Sequence, residues 1–110
     1  MGSFVKGEVV VLPFPFSDLS SSKARPCVVL ADLGGEDLIL CMITTSQRDV
    51  DSIPLSDADF LSGNLRQLSN IRPNKLFTGN CNKISYSVGQ LKPNKVREVV
   101  DKLTEILNRP

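Results

Sequence analysis

The chain has no histidine. That removes the side chain best suited to moving protons near neutral pH, and the commonest metal ligand with it. Three cysteines, Cys27, Cys41 and Cys81, are odd in number and show no C-x-x-C spacing. A nucleophilic thiol would lack its usual imidazole partner, and a zinc or transition-metal site would lack suitable ligands. The expectation is therefore no metal and no cofactor. Cys27 and Cys41 fall inside apolar runs, where a free thiol packs as a small hydrophobe. All three thiols read as reduced and structural. No apolar stretch is long enough to span a bilayer, so no membrane role is expected. The opening residues 1–6 contain no apolar core followed by a cleavage site, which gives a cytoplasmic address as the expectation. Charge of one sign is missing as well. Thirteen Lys and Arg face twelve Asp and Glu, a net charge of +1, and no basic tail is present. A nucleic-acid partner is neither required nor excluded by that balance; it would need a local patch.

What is present fits one soluble domain, residues 1–110, with 41% hydrophobic and 23% charged residues. Repeats, linkers and low-complexity tracts are absent. The β-branched run Val9–Val11 predicts a strand that leaves the sheet at Pro13 and Pro15. Residues 17–23, "SDLSSSK", predict a loop. A second strand runs over Arg25–Ala31, a turn over residues 32–37, and a third strand over Leu38–Ile43, apolar throughout and so buried on both faces. Shorter strands are expected at residues 52–55, 69–72, 75–78 and 83–90, with a helical turn within residues 56–61.

From Pro93 onward the period changes. Val96, Val99, Val100, Leu103, Ile106 and Leu107 follow one helical face, Pro93 suits the first turn, and Asn94 is an alternative N-cap. Lys95, Arg97, Glu98, Asp101, Lys102 and Glu105 fall on the solvent side by the same count. Short strands followed by one amphipathic helix predict a small curled sheet or barrel capped by that helix.

The third strand ends abruptly in "TTSQ", residues 44–47, a hydroxyl and amide cluster immediately after a buried run. Taken in order, "GEVVVLPFPFSDLSSSKARPCVVLAD", "LILCMITTSQ", "IPLS", "NIRPNKLFTGN" and "VGQLKPNKVREVVDKLTEIL" closely resemble the PemK/MazF family of toxin endoribonucleases. The shared order and spacing carry the resemblance from about Gly7 to Arg109. It implies an SH3-like β-barrel with helices, mainly β in class, and usually a homodimer. The implied activity is metal-independent cleavage of single-stranded RNA at short sequences. A cognate antitoxin protein is the implied second partner.

Chemistry of that kind uses the ribose 2′-hydroxyl as nucleophile and passes through a phosphorane of extra negative charge. Arg25 is the best donor for it, because a guanidinium can hold two phosphate oxygens at once. Thr44 matches the family's strand-end threonine, although counting back from Gln47 favours Thr45 or Ser46. Arg72 matches a family arginine that adds charge or protonates the leaving oxygen. The acidic residue that some members carry two positions later is here Asn74, whose amide cannot take up a proton. Further RNA contacts are expected from Asp18 and Lys23 in the loop, from Thr45, Ser46 and Gln47, and from Asn74 and Lys75. Phe14 and Phe16 could stack a base, while core packing is the usual role of aromatics at strand spacing.

Each residue also has a plainer reading. A strand-end threonine commonly bonds only to backbone, Arg25 could pair with Glu8 or Asp18, and Arg72 could form a surface ion pair. The rival function is a non-catalytic SH3-like module that binds RNA or a peptide, and a regulatory protein acting only through its antitoxin complex is a third.

Overall fold

Uninterrupted runs of β-branched and aliphatic residues become strands that bury both faces. The computed structural model, which describes residues 3–14, 23–45 and 49–110, contains β1 (Glu8–Phe14), β2 (Lys23–Asp32), β3 (Asp37–Thr44), β4 (Ile53–Leu55), β5 (Phe60–Gly63), β6 (Ser69–Asn80) and β7 (Tyr86–Leu91). They pair antiparallel in the order β4-β6-β3-β2-β1-β7-β5, a curled half-barrel. One helix follows, α1 (Pro93–Leu107), with Pro93 in its first turn. This is the mainly β architecture with a C-terminal helix that the sequence predicts. No described helix is long and apolar enough to cross a membrane.

Side chains alternate strictly between two cores. Val9, Val28, Leu30, Cys41 and Ile43 point to one face and meet Val96 and Val99 of α1. Val10, Leu12, Cys27, Val29, Leu38 and Leu40 point to the other, where Phe4, Phe77 and Ile84 pack on them. The helix docks because each fully buried valine contributes about 1.5–3 kcal/mol relative to exposure. Its apolar stripe loses contact with the sheet at the end, where Leu107 is 70% exposed.

Lys95 departs from its expected solvent position. It is buried, and its Nζ donates to the Pro54 carbonyl at 3.1 Å and to Glu98 Oε1 at 2.9 Å, with Asp59 Oδ1 at 3.7 Å. The cost of burying an ammonium is offset by these oxygens from three different segments.

Three strand predictions change. The strand expected over residues 83–90 is β7, which begins only at Tyr86, and Lys83 ends a 3₁₀ turn, Cys81–Lys83, instead. Residues 69–72 and 75–78 belong to one strand, β6, because Met42 pairs with Arg72 while the adjacent Cys41 pairs with Leu76. Residues 73–75 bulge out of the ladder, where a proline without an N–H costs nothing. Residues 56–61 hold a 3₁₀ turn, Asp57–Asp59, and then the start of β5, which the sequence reading missed.

Burial decides the behaviour of the thiols. Desolvation pushes Cys41 up to about 12 and raises Cys27 further, with Cys41 adding to the effect there. In native protein at pH 8, a thiol reagent should therefore modify half-buried Cys81 and spare Cys27 and Cys41 until denaturant is added. Mass spectrometry of the labelled peptides checks this, and early labelling at Cys27 would contradict the two-core packing.

Candidate active site

Strand register brings the three sequence-predicted catalytic residues to one place. Cys27 pairs with Met42 across β2–β3, and Met42 pairs with Arg72 across β3–β6. Those three side chains form one row on the face opposite α1. Arg25 lies two residues before Cys27, and Thr44 lies two residues after Met42. The two-residue period of a strand puts both on that same face, one row further along. Arg25 also sits opposite Leu12 of β1 in the ladder.

Burial fixes these groups without hiding them. Arg25 and Thr44 are half-buried at the ends of β2 and β3, and the Arg25 Nε is shielded from solvent. Arg72 keeps 13% of its side chain exposed. Of the expected RNA contacts, Lys23, Thr45, Asn74 and Lys75 are all exposed around this cluster. Asp18, Ser46 and Gln47 lie outside the described residues.

The structure adds a carboxylate that the sequence reading missed. Asp49 Oδ2 accepts a hydrogen bond from Arg72 Nη2 at 2.9 Å and another from Asn74 Nδ2 at 3.0 Å. Its Oδ1 accepts from the Asp51 backbone N–H at 2.9 Å and from Ser52 Oγ at 3.2 Å. The Asn74 amide and the Arg72 guanidinium together hold this carboxyl well below the usual carboxylate range. Asp49 is thus an ionised acceptor at any ordinary pH. A depressed pKa contributes stability that is present above the unfolded value of about 3.9 and is lost as pH falls through the folded one. An acid titration followed by circular dichroism should accordingly show no loss of stability from this group between neutral pH and about 5.

Asn74 therefore does more than mark a missing acid. Its amide donates to a carboxylate that arrives from the β3–β4 connection. "RDVD", directly after "TTSQ", was the available signal, but nothing local in it reports a reach to β6.

A second ion pair sits on the same turn. Asp51, 8% exposed, receives both arms of Arg109, Nη1 to Oδ2 at 3.1 Å and Nη2 to Oδ1 at 2.6 Å. Arg109 Nη2 also donates to Glu105 Oε2 at 2.8 Å, one helical turn back. Among the described residues, no three His, Cys, Asp or Glu side chains converge as metal ligands. The cluster offers cationic donors and a hydroxyl, a set suited to holding a phosphodiester, with Asp49 as an anion that engages part of the Arg72 guanidinium.

Comparison with known proteins bears on the whole chain. A family model described as PemK-like, MazF-like toxin of type II toxin-antitoxin system matches residues 5–107. No curated protein sequence matches. Among solved structures, an endoribonuclease in complex with its cognate antitoxin from a mycobacterial species superposes with a TM-score of 0.76 at 15% identity, covering 98% of each chain. The Mycobacterium tuberculosis toxin MazF-mt6 gives 0.72 at 18% identity, over 94% of this chain and 98% of its own. A MazE–MazF complex from Deinococcus radiodurans gives 0.72 at 16% identity over the full length of both chains. At identities this low, the superpositions show a shared fold alone.

Proposed function

Because the chain belongs to the PemK-like, MazF-like toxins of type II toxin-antitoxin systems, we propose that it is an endoribonuclease that cuts single-stranded RNA without a metal. The observation that carries this reading is the placement of Arg25, Thr44 and Arg72 on one sheet face by the β2–β3 and β3–β6 registers. In this mechanism the 2′-oxygen attacks phosphorus as it gives its proton to solvent water, the bond from phosphorus to the 5′-oxygen breaks, and the departing 5′-oxygen takes a proton from water, leaving a 2′,3′-cyclic phosphate and a 5′-hydroxyl. Arg25 holds the non-bridging oxygens as their charge grows. The Thr44 hydroxyl hydrogen-bonds the phosphate or the attacking oxygen. Arg72 places its charge on the side of the departing 5′-oxygen. Lys23 and Lys75, exposed nearby, attract the RNA backbone.

Two of the superposing structures contain an antitoxin, and that supports an antitoxin protein as the partner here. The partner's effect would be to occlude this face.

The test is incubation of purified protein with a pool of single-stranded RNAs in EDTA. Discrete cuts leaving 2′,3′-cyclic phosphate ends are expected, and added Mg²⁺ should not raise the rate. Intact RNA after prolonged incubation both in EDTA and with added Mg²⁺ would overturn the catalytic reading in favour of a binding module. Cleavage that EDTA abolishes would overturn the metal-free step.

A further inference from the structure

We propose that Asp49 is a positioning residue for RNA cleavage, aiming Arg72 and Asn74 from a turn that Arg109 braces through Asp51. The inference rests on the ribonuclease reading above and names a residue that reading does not use.

The bulge at residues 73–75 creates the need. Arg72 is the last β6 residue paired to β3 before the ladder is interrupted, and Asn74 lies inside the interruption. Backbone pairing therefore sets the face from which Arg72 projects but not where its long guanidinium arm ends, and it sets nothing for Asn74. Asp49 supplies that constraint, because one oxygen, Oδ2, receives both the guanidinium and the amide at 2.9 and 3.0 Å.

Aiming works only if the carboxylate itself is held. Two bonds hold the other oxygen, and the turn closes on itself through Ser52 N–H to the Asp49 carbonyl at 3.1 Å and Asp49 N–H to Ser52 Oγ at 2.9 Å. Asp51, two residues on, is clamped by both arms of Arg109. The turn thus spans from the end of α1 to the RNA face.

Asp49 is also an anion beside the expected phosphate path, which gives a signature distinct from simple structural support. Removing it should misdirect Arg72 while easing the approach of a polyanion. In Asp49→Asn, kcat for a labelled single-stranded RNA should fall about 10- to 100-fold, the scale of a misplaced group, while KM stays level or drops. Asp49→Asn added to Arg72→Gln should lower kcat much less than it does in the wild-type background, since the larger part of the effect passes through Arg72 and only the remainder through Asn74.

An unchanged kcat in Asp49→Asn overturns the proposal. So does a loss that multiplies in full with that of Arg72→Gln, or a rise in KM that accounts for the whole effect. If Asp49→Asn does not fold, Arg109→Gln carries the test from the far end of the turn: a lower kcat at level KM is expected, and an unchanged kcat overturns the proposal. Failure of the wild type to cut RNA overturns the ribonuclease reading itself, so the two failures are distinguishable.

Discussion

Arg25→Ala should slow RNA cleavage about 100- to 1,000-fold, the usual cost of removing one preorganised donor from a developing oxyanion. The phosphorane carries more charge than the ground-state phosphodiester, so the loss should fall on kcat more than on KM. The fold should survive. What β2 adds to the two cores comes from Cys27, Val28, Val29 and Leu30, all buried, whereas Arg25 sits half-buried at the entry of the strand. Arg25→Lys should recover little, because an ammonium is a point charge and cannot span two phosphate oxygens. Lys23→Ala makes the contrast. Lys23 is exposed at the first position of β2, and its loss should weaken binding modestly and shallow the salt dependence without a large change in kcat. Single-turnover cleavage in EDTA, with thermal melts of each variant, separates these outcomes. Cleavage by Arg25→Ala at the wild-type rate would remove Arg25 from the site.

How far the sequence could be read depends on the range of the forces involved. The strands built on Val9–Val11, residues 25–31 and residues 38–43 were legible because apolar runs report burial directly, and α1 was legible from its period. Thr44 and Arg25 were legible as strand-end residues, and the register that joins their face follows once the hairpin between β2 and β3 is placed. The β6 bulge was misread as a break, because Pro73 and Asn74 signal a turn in isolation, while the flanking strand pairs on both sides of them. Asp49 was invisible for a different reason. Its partners lie 23 and 25 residues away, and no local pattern encodes which carboxylate will reach them. Lys95 repeats the point: the helical count puts it on the solvent side, and only the oxygens of Pro54 and Asp59 from elsewhere in the chain explain its burial. β5 was missed because its pairing depends on what two residues lack.

That pairing gives the largest expected effect on stability, Gly89→Val. Gly63 of β5 and Gly89 of β7 face each other in the ladder. A Cβ on Gly89 would stand 2.1 Å from the Ser62 carbonyl oxygen, and one on Gly63 would stand 2.0 Å from the Val88 carbonyl oxygen. Both obstacles are backbone, so no rotamer change relieves them and β5 must move off β7. Phe60, 7% exposed in the helix-side core and paired with Leu91, would move with it. Losing a buried phenylalanine costs about 3–5 kcal/mol, so Gly89→Val should destabilise by about 3 kcal/mol or more, a large share of a small domain's stability. Gly34→Ala is the control. Its φ of +83° is left-handed, yet a Cβ there meets nothing within 4 Å, so the cost should stay near the 1–2 kcal/mol of the backbone conformation alone. Urea titrations of the two variants should rank them in that order, and equal midpoints would mean that β5 is not packed on β7. The functional consequence separates fold from site. β5 lies at one end of the sheet order, with β1 and β7 between it and β2, β3 and β6, which carry Arg25, Thr44 and Arg72. Whatever fraction of Gly89→Val remains folded should therefore cut RNA at the wild-type rate per folded molecule. A lower rate per folded molecule would show that the far edge of the sheet helps to set the register on which the site depends.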